Sequence, residues 1–185
     1  MLRRQQTVTE ERMGEAFELG EQLTVIGRKL KPGDMAPDFE LDYFDPIQEE
    51  MKTVRLSDST GNVRILNVIN SLDTPVCHVE THRFEDSRSE LPPEVRIYTI
   101  SMDLPFAQAR WHRAENVSHQ SLSSHRSEEF GCDYGVLLKE WRVLQRAVFV
   151  VDKNNRIVHA EYVADQMTEP NYEVALEAAR KAAQG

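Results

Sequence analysis

The stretch VRILNVINSLDTPVC, residues 63–77, predicts the centre of the fold because it joins a buried strand to a helix. Its first part, Val63–Asn70, is rich in valine and isoleucine, which is typical of a strand covered on both faces. Pro75 suits the first position of a helix, and Thr74 before it suits the N-cap. The stretch therefore predicts a strand-to-helix corner in an α/β sheet.

The elements on either side of this corner follow the order of an α/β fold. Further strands are predicted at Val95–Ser101, Arg146–Asp152 and Arg156–Val163. Helices are predicted at Cys77–Leu91, Pro105–Glu115, Ser127–Cys132 and Asn171–Ala183. A strand–helix–strand unit followed by a hairpin and a helix predicts one mixed central sheet flanked by helices on both faces, which is thioredoxin-like in outline.

The N-terminal part of the chain is predicted to add a hairpin to this domain. Residues 1–13 are polar and charged and are expected to be a flexible segment, while residues 14–185 form a single domain. Ala16–Leu19 and Gln22–Ile26 flank a Gly-Glu pair and predict an N-terminal β-hairpin. The polar, proline-containing segment Asp42–Lys52 is interpreted as a surface loop.

Composition excludes several classes of protein. A chain of 185 residues with 40% hydrophobic content has room for a real core, and two cysteines are too few for a disulfide scaffold or a four-cysteine zinc site. The net charge of −9 argues against nucleic acid or an anionic membrane as a partner. No apolar run reaches the roughly 18 residues that cross a bilayer, and the N-terminus lacks the apolar stretch of a secretory signal. A reducing cytoplasm is the expected location.

Cys77 is the strongest candidate for chemistry. With Thr74 as N-cap it falls at the third helical position, where free backbone N–H groups and the helix dipole favour an anion, and here a thiolate. The alternative is a small buried apolar side chain, and the nearby carboxylate of Asp73 counts against a thiolate. Spacing alone leaves both interpretations open.

The sequence resembles the thiol peroxidase branch of the peroxiredoxins from about residue 16 to residue 183. The likeness is carried by the motifs APDF (36–39), SLDTPVC (71–77), DLPFAQARW (103–111), YGV (134–136), RAVFVVD (146–152) and TEPNYEVA (168–175). SLDTPVC and DLPFAQ are specific to this branch, whereas APDF and YGV are shared more widely among peroxiredoxins.

The resemblance implies a thiol-dependent peroxidase that reduces hydrogen peroxide or alkyl hydroperoxides without a cofactor or a metal. Cys77 matches the peroxidatic cysteine, which becomes a sulfenic acid. Thr74 matches the threonine that bonds the thiolate and the peroxide, and Arg146 matches the arginine that steadies the thiolate. The resemblance also implies thioredoxin or another thiol as reductant, and a homodimer.

Two positions depart from the pattern of this branch. Asn70 replaces the usual proline four residues before the threonine, which predicts a changed and wetter thiol environment. His112 occupies the position of the usual resolving cysteine. Three alternatives follow: a one-cysteine cycle with an external thiol, which we favour; Cys132 as a displaced resolver; or weak turnover in a peroxide sensor or binding module on the same scaffold.

Other functions have weaker support. A thiol–disulfide oxidoreductase is disfavoured because the chain has no Cys-x-x-Cys motif. His78, His82 and His112 with Cys77 are interpreted as solvated or capping groups rather than metal ligands, since His78 is adjacent to Cys77 and His82 is five residues on, so they are not expected to share one helix face with it. The remaining candidates, His119 and His125, are predicted to lie on the surface.

Overall fold

The structure is a computed structural model that describes residues 9–185, and its main sheet has seven strands. In chain order these strands are β3 (Glu40–Asp45), β4 (Glu50–Arg55), β5 (Val63–Val68), β6 (Val95–Ser101), β7 (Gln120–Ser123), β10 (Ala147–Val151) and β11 (Ile157–Tyr162). A second, smaller sheet is formed by β1 (Glu11–Glu18), β2 (Glu21–Ile26), β8 (Leu137–Leu138) and β9 (Val143–Leu144). The helices are α1 (Pro75–Ser87), α2 (Pro105–Glu115), α3 (Glu129–Asp133) and α4 (Tyr172–Gln184).

The main sheet is mixed, as predicted. Its strand order is β11-β10-β5-β6-β7-β3-β4, in which β5, β6 and β7 run parallel and the other neighbours are antiparallel. The crossover helix α1 joins β5 to β6, and α2 joins β6 to β7. The thioredoxin-like fold is therefore confirmed, and β5 and β10 lie side by side where the chain turns into α1.

Alternating side chains of the central strands build a core on each face of the sheet. Leu66 and Val68 of β5 belong to a large cluster that also holds Phe130 of α3. Ile65 on the same strand faces a second cluster that contains residues of α4 together with Phe84 of α1. Both faces of β5 are thus covered, which explains its unbroken apolar sequence.

Strand residues at the polar, far side of the sheet were missed in two places, although strand was predicted near Phe39–Leu41 and as a short piece at Thr53–Leu56. The segment Asp42–Lys52, expected to be a loop, belongs to the β3–β4 hairpin, in which Asp42 pairs with Thr53. Its polar composition is tolerated because β4 is an edge strand and Asp42 is bonded to Thr53 and Arg126. The other missed strand, β7, has the sequence QSLS with one apolar residue, and hydrogen bonds satisfy its buried serine side chains.

The predicted N-terminal hairpin is confirmed as β1 and β2. It begins at Glu11, so it includes the last three residues of the segment expected to be flexible, while residues 1–8 lie outside the described part of the chain. Gly135, in the turn before β8, has a φ of +63°, and a Cβ there would lie 2.4 Å from the carbonyl oxygen of Arg28. Only glycine fits at this crossing.

Within residues 9–185, no helix has the length and apolar character needed to cross a bilayer.

Candidate active site

The corner predicted at residues 74–77 forms as expected. Thr74 is the N-cap of α1 with extended backbone angles, Pro75 is its first residue, and Cys77 is therefore its third. The Cys77 side chain is fully buried and packs in a small cluster with Ile69, Leu72, Trp111 and Val117. Its sulfur thus lies at the positive end of a helix in a pocket with apolar walls.

Arg146 reaches this sulfur from the neighbouring strand. It directly precedes β10, whose first residue Ala147 pairs with Val68 at the end of β5. This register brings Arg146 to the corner, where its Nη1 donates to Cys77 Sγ at 3.3 Å. The guanidinium is 1% exposed, so its charge acts on the sulfur with little screening by water.

Glu80 is a second anion on Arg146, and sequence reasoning missed it. Its carboxylate forms a buried ion pair with Nη1 of Arg146, the nitrogen that also donates to the sulfur. Burial raises the pKa of Glu80 to about 8, against the opposing attraction of Arg146. The Glu80 carboxylate and a thiolate at Cys77 therefore compete for the Arg146 guanidinium. When Glu80 is protonated, the guanidinium interacts mainly with the sulfur.

A signal for Glu80 was present in the sequence. The buried residues of α1 are Cys77, Glu80, Thr81 and Phe84, which follow the i, i+3, i+4, i+7 spacing of one helix face. A glutamate on this face needs a buried cation. Arg146, already a candidate from the resemblance, is the cation that meets this need.

Asn70 belongs to a closed polar frame around Arg146. Its Nδ2 donates to the Leu144 carbonyl at 2.6 Å and to Gln166 Oε1 at 3.1 Å, and the side chain is buried. Arg146 Nη2 donates to the Gln166 carbonyl at 2.8 Å and lies 3.5 Å from Asn70 Oδ1. Asn70 was expected to admit water to the thiol pocket. The geometry does not support this, because its side-chain N–H groups donate to protein acceptors.

Thr74 takes a different partner from the one that the resemblance implies. Its hydroxyl donates to the Ser71 carbonyl at 2.8 Å, and the residue is partly exposed. Asp103, from the DLPFAQ motif, accepts from the Ser71 hydroxyl at 2.7 Å and from the Leu72 N–H at 2.9 Å. The two motifs specific to the branch are therefore bonded to each other, and Asp103 holds the loop that leads into α1.

Comparisons with known proteins show the family of the chain. The sequence profile of the AhpC/TSA family matches residues 32–160. The chain belongs to the AhpC/TSA family. It is 43% identical over 169 residues to the thiol peroxidase of Bacillus subtilis, covering 91% of this chain and 98% of that relative.

Solved structures show the same fold. A peroxiredoxin-like protein from Aquifex aeolicus has a TM-score of 0.79 and 29% identity, covering 92% of this chain and 98% of that one. The thiol peroxidase from Chromobacterium violaceum has a TM-score of 0.75 and 23% identity, covering 91% of this chain and 97% of that one. The resemblance found in the sequence is thereby confirmed, while the match of His112 to a resolving position stays a prediction.

In this AhpC/TSA chain, His112 is held as a neutral imidazole. Its Nδ1 donates to the Val117 carbonyl at 3.1 Å, which leaves Nε2 to accept from the Ser121 hydroxyl. Burial lowers the pKa of His112 to about 4. His112 therefore joins α2 to β7 and carries no charge at neutral pH.

Cys132 lies apart from the Cys77 pocket. It is a free, partly buried thiol in α3, and its side chain packs against the large core cluster rather than the cluster of Cys77. Burial raises the pKa of the Cys132 thiol, and the neighbouring carboxylate of Asp133 raises it further. These surroundings disfavour the thiolate that a resolving cysteine needs.

His119 differs from its predicted place, and His78 and His82 form a pair. His119 is buried rather than on the surface, because its Nδ1 bonds Glu85 at 2.6 Å and its Nε2 bonds Thr99 at 2.8 Å. The rings of His78 and His82 lie 4.8 Å apart. They are four residues apart on α1, which puts both on one side of the helix.

Proposed function

We propose that this chain is a thiol-dependent peroxidase that reduces hydrogen peroxide or alkyl hydroperoxides through Cys77. The observation that carries the proposal is the 3.3 Å hydrogen bond from Arg146 to the buried sulfur of Cys77 at the N-terminus of α1. A cationic donor and a helix dipole at one thiol favour the thiolate, which is the nucleophilic form. The 43% identity to the thiol peroxidase of Bacillus subtilis supports the same activity.

The reaction is a displacement at oxygen. The thiolate sulfur of Cys77 attacks one peroxide oxygen, an S–O bond forms, and the O–O bond breaks. The other oxygen leaves with the bonding electron pair as hydroxide or alkoxide and takes up a proton, giving water or an alcohol. Sulfur is oxidised to the sulfenic acid, and the peroxide is reduced.

Arg146 has two tasks in this step. It holds the thiolate before the attack, and its fixed positive charge stabilises the charge that moves from sulfur to the leaving oxygen. When Glu80 is protonated, the positive charge of Arg146 stabilises the thiolate and the leaving oxygen; when Glu80 is ionised, its carboxylate neutralises part of that charge. The polar frame of Asn70 and Gln166 fixes the plane of the guanidinium.

Steady-state consumption of hydrogen peroxide with thioredoxin or a small thiol as reductant tests the proposal. We expect Cys77→Ser to lose at least about 1,000-fold of the rate, because no other group replaces the nucleophile. Cys132→Ser is the matched control and should keep the rate within about twofold. Equal, slow consumption by the wild type and Cys77→Ser would overturn the proposal.

The finer features of the function form part of the same proposal. The sulfenic acid of Cys77 is reduced by an external thiol, thioredoxin or a smaller one, because Cys132 lies in another cluster with a raised pKa. The two free thiols fit a reducing cytoplasm. A homodimer is proposed on the resemblance to the thiol peroxidase branch, and sedimentation at micromolar concentration would test it.

A peroxide sensor is the second candidate, and His112 is the observation that favours it. A chain without a resolving thiol in α2 can store the oxidised state of Cys77 instead of passing it on. Single-turnover oxidation that is fast, followed by no turnover with any thiol reductant, would favour the sensor. Sustained turnover would favour the peroxidase.

A further inference from the structure

The strongest unassigned cluster in the described part of the chain is a group of three potential metal ligands beside the first turns of α1. His78 and His82 lie on α1, and Glu115 is the last residue of α2. Their ligand atoms all lie within 4.8 Å of one another. Among residues 9–185, no other set of three histidine, cysteine or acidic side chains meets this spacing.

The separations fit one small cation. Glu115 Oε2 lies 3.3 Å from His82 Nε2 and 3.7 Å from His78 Nε2. Ligands about 2.1 Å from a tetrahedral Zn²⁺ lie about 3.4 Å from each other, a spacing that both distances to Glu115 approach. All three ligand atoms lie within 4.8 Å of one another, so side-chain rotation that brings the two imidazoles together would complete the site. Histidines at i and i+4 on a helix are a recurrent way to present two imidazoles to zinc.

The surroundings favour binding from solvent. The side chains of His78, His82 and Glu115 are 41%, 32% and 35% exposed, so an ion can reach them. Trp111 contacts both imidazole rings, at centroid distances of 5.5 and 5.6 Å, and restricts their orientation. Three protein ligands leave a fourth position for water.

We propose that His78, His82 and Glu115 form a site for one divalent transition-metal ion, with Zn²⁺ as the reference ligand. Two imidazoles and one carboxylate select zinc, cobalt or nickel over the oxygen-preferring Mg²⁺ and Ca²⁺. The bound ion joins α1 to α2. Glu80, between the two histidines in sequence, faces the opposite way toward Arg146 and is not a ligand.

The adjacent Cys77 is also excluded as a ligand. Its sulfur is fully buried in the apolar cluster and accepts from Arg146. The site is therefore distinct from the thiol, and it does not depend on the proposed peroxidase activity. A Co²⁺ complex of this site should show the visible bands of a nitrogen and oxygen environment without a thiolate charge-transfer band.

Calorimetric titration of the chelator-treated, tag-free full chain with Zn²⁺, in a non-thiol reductant, tests the proposal. We expect one ion per chain with a Kd on the order of 1–10 µM. His82→Gln and Glu115→Gln should each weaken binding at least about tenfold. Cys77→Ser and His125→Gln, a partly exposed histidine outside the cluster, should bind as the wild type does.

Three results would overturn the proposal. One is the absence of Zn²⁺ binding by the wild type in this range. Another is unchanged binding in both His82→Gln and Glu115→Gln, each checked for folding by circular dichroism. The last is loss of binding in Cys77→Ser or a cobalt–thiolate band, either of which would assign the ion to the cysteine.

Discussion

Cys77 and Cys132 both lie in helices, yet their surroundings act on the thiol in opposite directions. Cys77 is the third residue of α1, at the positive end of the helix, and accepts from Arg146. Cys132 is the fourth residue of the five-residue helix α3, next to Asp133, and its pKa is raised. Cys77 is the more deeply buried of the two.

The proposed reactivity of Cys77 requires that burial alone does not decide whether a thiol reacts. Burial by itself disfavours a thiolate, and at Cys132 the adjacent carboxylate adds to that effect. At Cys77 the helix N-terminus and the guanidinium act against it. Removing or weakening these fixed charges, one at a time, should therefore bring the two cysteines closer together in reactivity.

Arg146→Lys should have the largest effect on this contrast. Lysine keeps a positive charge but loses the planar fork that serves Cys77, Glu80 and Gln166 together. We expect the second-order rate of Cys77 oxidation by hydrogen peroxide to fall about 100-fold. Stopped-flow fluorescence can follow it, because Trp111 packs in the cluster of Cys77.

Arg142→Lys is the matched control for that variant. Arg142 is an exposed arginine that forms an ion pair with Glu128, so its replacement should leave the rate within about twofold. A rate for Arg146→Lys equal to that of Arg142→Lys would mean that the hydrogen bond to Cys77 does not drive the chemistry.

Glu80→Gln tests the second anion in the Cys77 pocket. The folded state keeps a proton on Glu80 up to about pH 8, whereas an ordinary glutamate releases it near 4.5. The stability contributed by this group is therefore fully present below 4.5 and is lost as the pH rises toward 8. A shift of this size corresponds to on the order of 5 kcal/mol, so we expect denaturant unfolding to show the wild type losing more stability across that window than Glu80→Gln does. Parallel pH profiles would contradict a shifted Glu80.

Asp133→Asn should have the smallest effect and act on Cys132. In the Cys77→Ser background, removal of the carboxylate should lower the pKa of Cys132 only in part, because burial, the larger cause of its raised pKa, remains. The pH profile of iodoacetamide alkylation measures it. Asp133→Glu keeps the charge and should leave the profile in place; a shift of equal size in both variants would exclude the charge as the cause.

The central part of the fold and two of the three predicted site residues follow from local sequence patterns. The apolar run of β5 and the Thr-Pro pair before Cys77 predict the corner because they act over a few residues. Arg146 needed the family resemblance, since its approach to Cys77 depends on the pairing of β10 with β5. Thr74 was placed correctly as the N-cap, but its hydroxyl contacts Ser71.

The missed features depend on contacts between distant parts of the chain. The strand β7 is polar in sequence and becomes internal because it pairs with β6. His119 is buried because its ring bonds Glu85 and Thr99, which are distant in sequence. Gln166 lies in a polar stretch after β11 with no local signal for its place beside Arg146. Glu80 alone could have been found, by its position on the buried stripe of α1.

Intact mass spectrometry after one equivalent of hydrogen peroxide, with and without a sulfenic-acid trap, tests the central claim most directly. We expect one trapped adduct per chain, located at Cys77 by peptide mapping and absent in Cys77→Ser. The same adduct is expected in Cys132→Ser. Loss of two hydrogens without an adduct, abolished by Cys132→Ser, would contradict the account by showing that the two cysteines form a disulfide.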